Sequence, residues 1–342
     1  MRIALLALAG VLIALPAVAQ DAKPKPPART TTPAKKPLPS KPEPLATKPA
    51  PVTDSDADLA YGAFQRGLYI TAFLEATRRI DERGDAKAMT LLGELYADGL
   101  GIPRDDKKAA EWYRLAVNRG DREAMFALAM FKMTGRAGAR DRDEAAKLFT
   151  SAAKLGHAAS AYNLALLYLE GQLFPQDFAR AAELFRTAAY AGNPEAQYAL
   201  ATMHKEGRGV PKDPREAARL LGAAALAENV DAQVEYGIAL FNGTGITKNE
   251  TAAVTYFRKA AQRGNPIAQN RLAFMYATGR GVKADPVQAA RWHLIAKALG
   301  NSDQFLDDLL RKMKPEDRTA AEEAAKPWLA ILAQAQSAPA RP

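Results

Sequence analysis

The chain offers few side chains suited to catalysis or metal binding: three histidines and no cysteine in 342 residues. His157, His204 and His293 are far apart, and none has a second histidine, a cysteine or a carboxylate at metal-ligand spacing. Each reads better as a substitution within a repeated position than as a ligand. The lack of cysteine removes thiol catalysis, thiolate metal sites and lipid acylation. Gly207-x-Gly209 and Gly279-x-Gly281 resemble a phosphate loop only superficially. They follow helix-like rather than strand-like segments, and no Walker lysine accompanies them. Asp105, Asp141, Asp177, Asp213, Asn249 and Asp285 recur at one interval, which suits helix N-caps better than acid catalysts. No nucleophile–base pair stands out, and no catalytic residue, cofactor or metal is expected.

The interval is the dominant feature. Gly84, Gly120, Gly156, Gly192, Gly264 and Gly300 share one column, with Glu228 as its only replacement. Gly99, Gly135, Gly171, Gly207, Gly243 and Gly279 form a second column with the same period. A fixed period without length drift means stacked copies of one supersecondary unit. In the copy from Asp85 to Gly120, Ala88, Leu92, Leu95 and Tyr96 fall on one helical face. Gly99 supplies a left-handed stop for this helix A, and Asp105 or Asp106 caps a helix B that runs until Gly120. Alanine columns on helix B, Ala109-Ala110 and Ala116 with their equivalents, allow close helix approach. The column Tyr113, Phe149, Phe185, Leu221, Phe257 and His293 fills the gaps between hairpins. Ala137 and Leu173 replace the second loop glycine in copies two and three, so those loops are expected to differ in shape.

The elements outside the repeats carry the other signals. Residues 1–19 have a basic start, an apolar run from Ile3 to Leu15 and Ala17-Val18-Ala19, the layout of a secretory signal peptide. Cleavage is expected after Ala19, giving a periplasmic or secreted protein; the alternative is an uncleaved anchor. Residues 20–53 hold ten prolines and few large apolar side chains, the composition of a disordered or polyproline linker. The formal net charge is +9, of which residues 21–52 carry +5, seven Lys or Arg against Asp21 and Glu43. An exported basic tail suits contact with cell wall or anionic membrane better than nucleic acid.

The run Ala196-Gln197-Tyr198-Ala199-Leu200-Ala201, followed by Gly207-Arg208-Gly209-Val210-Pro211-Lys212-Asp213, resembles the Sel-1-like repeat, a relative of the tetratricopeptide repeat. The resemblance covers six 36-residue copies over residues 85–300. It implies an all-α, right-handed superhelical solenoid and a protein or peptide partner held in a concave groove lined by the A helices. A partial hairpin over 54–84 precedes the copies. Residues 301–335 read as capping helices, the second starting at Pro315 and ending near Trp328, and 336–342 as a disordered tail.

The A-helix positions that vary between copies point to that groove: Met130, Met133, Asn163, Leu166, Leu169, Glu235, Ile238, Phe241, Arg271 and Phe274. They lie three residues apart within each helix and so share a face, although packing on the next hairpin explains them equally well. The resulting expectation is a non-catalytic exported scaffold or adaptor. The alternatives are a peptidoglycan-associated binding module and, further off, a hydrolase. Some relatives described as acting on β-lactams are cysteine-rich, which this chain is not.

Overall fold

The computed structural model describes residues 58–337, and side chains up to residue 334. The expected signal segment, the proline-rich linker and the final residues of the chain lie outside them. Sixteen helices and no strand occur among the described residues. A short hairpin of α1 (Leu59–Gln65) and α2 (Tyr69–Arg83) opens the array. Three hairpins follow: α3 (Ala86–Asp98) with α4 (Asp106–Val117), α5 (Arg122–Thr134) with α6 (Arg142–Lys154), and α7 (Ala158–Glu170) with α8 (Phe178–Tyr190). Three more complete the series: α9 (Pro194–Glu206) with α10 (Pro214–Leu226), α11 (Val230–Asn242) with α12 (Glu250–Gln262), and α13 (Pro266–Thr278) with α14 (Pro286–Ala298). α15 (Gln304–Lys312) and α16 (Pro315–Ser337) close the array against α14. No helix among the described residues is long and apolar enough to cross a membrane.

The repeated residues act as the physics of helix ends requires. Each A helix of α3 to α13 stops at a glycine with positive φ, from Gly99 at 68° to Gly279 at 70°. Each B helix starts beyond an Asp or Asn whose carboxylate or amide oxygen accepts from amides two or three residues on. The B helices end differently from expectation. α4 stops at Val117, and Gly120 lies beyond it as the left-handed residue of a closing turn. There the Gly120 amide donates to the Val117 carbonyl and the Asp121 amide to that of Ala116, so the turn satisfies carbonyls that the helix end exposes.

Packing explains the small and aromatic columns. Phe149, Phe185 and Phe257 are fully buried, as are Ala116, Ala152, Ala188, Ala224, Ala260 and Ala296. Opposite the aromatic column, each A helix presents a residue no larger than alanine. At Gly237 even a methyl group would sit 2.7 Å from the Phe257 ring, and at Gly93 2.5 Å from Tyr113. Three glutamines at one register, Gln197, Gln233 and Gln269, donate from Nε2 to the carbonyls of Ala189, Ala225 and Ala261 on the preceding B helices. These bonds fix the spacing between hairpins.

The loops lock each hairpin to the one before it. A Cβ added at Gly245 would overlap the Pro214 carbonyl at the start of α10, and one at Gly209 or Gly281 would overlap Phe178 or Glu250 likewise. Of Ala137 and Leu173, both expected to change the loop shape, only Leu173 does so at this position. Ala137 keeps the left-handed conformation, φ 65°, whereas Leu173 leaves it and packs its side chain on the core. The residue just before this position couples to the first residue of the previous B helix. Arg136 pairs with Asp106 at 2.7 Å, Gln172 accepts from Arg142 at 3.0 Å, and Arg280 pairs with Glu250. Arg208 instead lies over the Phe178 ring at 4.3 Å.

One element outruns its expected end: α16 continues past Trp328 to Ser337 with Pro327 inside it. Proline forfeits one helical hydrogen bond, but Trp328 and Leu329 pack on the third core cluster beside Trp292, which holds the helix through that point.

Candidate partner-binding surface

The three variable columns occupy one face of the A helices. The clearest sign is the ion pair between Lys205 of α9 and Glu235 of α11 at 2.7 Å. It places the last column of one copy against the first column of the next. Nearer the helix starts, the Phe126 and His157 rings lie 4.7 Å apart, and the Thr90 hydroxyl meets Asp121 at 3.0 Å. Consecutive A helices are therefore neighbours.

Burial on this face changes along the array. In α3, Leu91 and Ala97 are buried in the first core cluster. From α5 onward the equivalents are half-buried: Met130 and Met133 on the first cluster, Leu166 and Leu169 on the second, Ile238 and Phe241 on the third. Each rests one side on the core and presents the other outward. Asn163 is also half-buried and donates to the Ala159 carbonyl, whereas Arg271 is exposed. Two aromatics are less free than their neighbours: the Arg280 guanidinium covers Phe241 at 3.9 Å, and Phe274 lies 5.8 Å from Phe305 of α15. The open apolar stretch thus centres on α5 and α7, with Ile238 beyond.

Charge on the A helices near this face is mainly acidic. Burial, with the Asp98 and Glu123 carboxylates, pushes Glu94 above the usual carboxylate range. Burial, then Asp231 and Glu235, raises Tyr198 to about 12. Glu123 is held low by the hydrogen bond from His157.

The histidines have structural partners. His157 caps α7, its Nδ1 accepting from the Ser160 amide at 3.1 Å while Nε2 meets Glu123 at 2.9 Å. His204 meets the Pro211 carbonyl at 3.2 Å. His293 is fully buried and bonds Asp307 of α15 at 2.9 Å, which ties the last hairpin to the closing helices. Among the described residues no group of three or more His, Cys, Asp or Glu could hold a metal ion. Sequence reasoning missed the Arg280 and Phe305 covers. The recurrence of Arg136, Arg208 and Arg280 after the loop glycine was the visible signal for the first; nothing in the periodicity announces Phe305, which lies outside it.

Stacked helical hairpins locked through their loops define a tandem helical-repeat protein of the tetratricopeptide-like class. The family description Sel1 repeat matches residues 86–121, 122–157, 158–193, 194–229, 230–265 and 266–301, and the chain belongs to that family. The six matches take in more than half of the sequence and stand one residue along from the expected copies. Among solved structures, it is similar to a Sel1 repeat protein from Oxalobacter formigenes, with TM-score 0.59 and 25% identity over 70% of this chain and 97% of that one. It is also similar to a protective antigen of uropathogenic Escherichia coli strains displaying an SLR fold, with TM-score 0.53 and 25% identity over 80% of this chain and 68% of that one. A search of curated proteins found no match to the chain. Proteins built on these repeats generally act as scaffolds for protein–protein interaction and are typically non-catalytic.

Proposed function

We propose that this protein is an exported, non-catalytic scaffold that holds a protein or peptide partner against the A-helix face from α5 to α11. The observation that carries this reading is the half-buried apolar side chains Met130, Met133, Leu166 and Leu169 on the neighbouring helices α5 and α7, with Ile238 on α11 past α9, in a family whose members generally bind proteins. Such a surface keeps apolar area available without leaving it fully solvated. Glu123 and Glu235 already pair with His157 and Lys205, so it is Glu94 and Asp98 at the α3 end that favour a basic residue in the partner segment. Export rests on residues 1–19, and the basic linker would let the array stand off from a wall or membrane.

Photocrosslinking in the native cell from positions 130 and 166 tests the proposal. One dominant protein is expected, lost when Met130, Leu166 and Ile238 are replaced by glutamate with helicity intact. Phe274 is left out of the variant because it already packs on Phe305. Unchanged capture by the folded triple variant refutes the face. Capture of glycan strands instead transfers the function to a wall-binding module.

A further inference from the structure

Where the last repeats meet the closing helix, a cavity of about 280 Å³ is lined by Arg258 and Gln262 of α12, Tyr276 of α13, Gln288, Arg291 and Trp292 of α14, and Trp328 of α16. It lies apart from the apolar stretch on α5 and α7. Two guanidinium groups line it and no carboxylate does. Among the described residues neither arginine forms an ion pair. Arg258 donates to the Tyr276 hydroxyl at 3.2 Å and Arg291 to the Gln288 amide oxygen at 3.3 Å. The Nε of Arg291 is buried and has no hydrogen-bond partner. Two half-buried guanidinium groups without a carboxylate between them make the cavity positively charged, which favours an anion there.

The walls specify what the anion is attached to. The Arg291 guanidinium carbon lies over the Trp292 ring at 4.9 Å, and with Nη1 engaged by Gln288 and Nε buried, Nη2 is the nitrogen left to meet an anion. Trp292 and Trp328 stand 6.2 Å apart with their rings inclined by 59°. Tyr276 supplies a third aromatic wall. The volume falls just below the roughly 300–1,000 Å³ typical of ligand pockets, which suits a small ligand.

We infer that this cavity is a binding site for a small organic anion, a carboxylate or phosphate carried on a flat apolar body. The arginine pair takes the charged end and the tryptophans take the flat body. The site takes its Trp328 wall from outside the repeats. It couples ligand binding to the docking of α16, since the ligand would touch both α14 and α16.

Tryptophan emission of the full chain reads the site directly, because two of the three tryptophans line it and Trp112 lies far away on α4. Benzoate, phenyl phosphate, inorganic phosphate and benzyl alcohol serve as probes. A saturable change is expected with benzoate or phenyl phosphate, and whichever binds tighter tells carboxylate from phosphate as the preferred end group. Inorganic phosphate should bind more weakly than phenyl phosphate, and benzyl alcohol should give no saturable change. Both R291Q and R258Q should weaken binding about tenfold or more, in line with loss of a charge-assisted pair. R258Q removes a half-buried side chain with one hydrogen bond, so it keeps the test open should R291Q fail to fold. No saturable response to either aryl anion overturns the inference. So does an equal response to benzyl alcohol, or unchanged affinity in a folded arginine variant.

Discussion

Replacing Gly245 with alanine tests how the hairpins are joined. Gly245 has φ 72°, and its added Cβ would overlap the Pro214 carbonyl and stand 2.9 Å from the Arg215 amide nitrogen. Two costs add. Placing an alanine in the left-handed region costs about 1 kcal/mol. Relieving the overlap requires the α11–α12 loop to move off the start of α10, an overpacking cost of about 1–3 kcal/mol. Gly264 isolates the first cost, since its φ is 86° and an added Cβ meets nothing within 4 Å. G264A should therefore lose about 1 kcal/mol and G245A about 3 kcal/mol. Urea unfolding followed by far-ultraviolet circular dichroism gives both midpoints on the same array. Because array stability depends on nearest-neighbour interfaces, G245A should also broaden the transition by weakening the junction between the α9–α10 and α11–α12 hairpins. Equal destabilisation by the two variants would refute the claim that this loop is seated on α10.

Two further outcomes follow from strained or crowded groups. Glu228 holds φ 64° in a column otherwise made of glycine, and its carboxylate, 79% exposed, lies 3.6 Å from Arg263. E228G should stabilise the array by about 0.5–1 kcal/mol in urea unfolding, because the left-handed strain exceeds the entropy that glycine adds to the unfolded chain. The Arg263 bond to the residue 228 carbonyl survives the change, and a loss of stability would contradict the strain argument. Glu94, raised above 4.5 by burial and by Asp98 and Glu123, favours its protonated form in the folded protein. Its contribution is therefore fully present below pH 4.5 and is lost as pH rises through the folded value. E94Q should raise the thermal midpoint at pH 7 and leave it unchanged at pH 4, and an equal gain at both would show that charge is not the cause.

The sequence by itself determined the hairpins, because their determinants are local. A left-handed stop at Gly99, an N-cap at Asp105 and a small residue at Ala116 act within a turn or two of themselves, and each recurs 36 residues on. It also told which A-helix positions were released from the repeat, since the column of Met130 and Leu166 varies freely where the Leu92 column is leucine in five of six copies, Tyr236 being the exception. What it left open was the environment of those positions, because burial depends on residues far along the chain. Leu91 is buried while Asn163, in the same column, is half-buried, and Phe274 is covered by Phe305 from beyond the last copy. The same limit hid the second site. Nothing in the periodicity singles out Arg258 or Arg291, and Trp328 read as part of a cap. Only the docking of α16 against α14 closes a cavity around them, and that approach is set by packing between segments that no period relates.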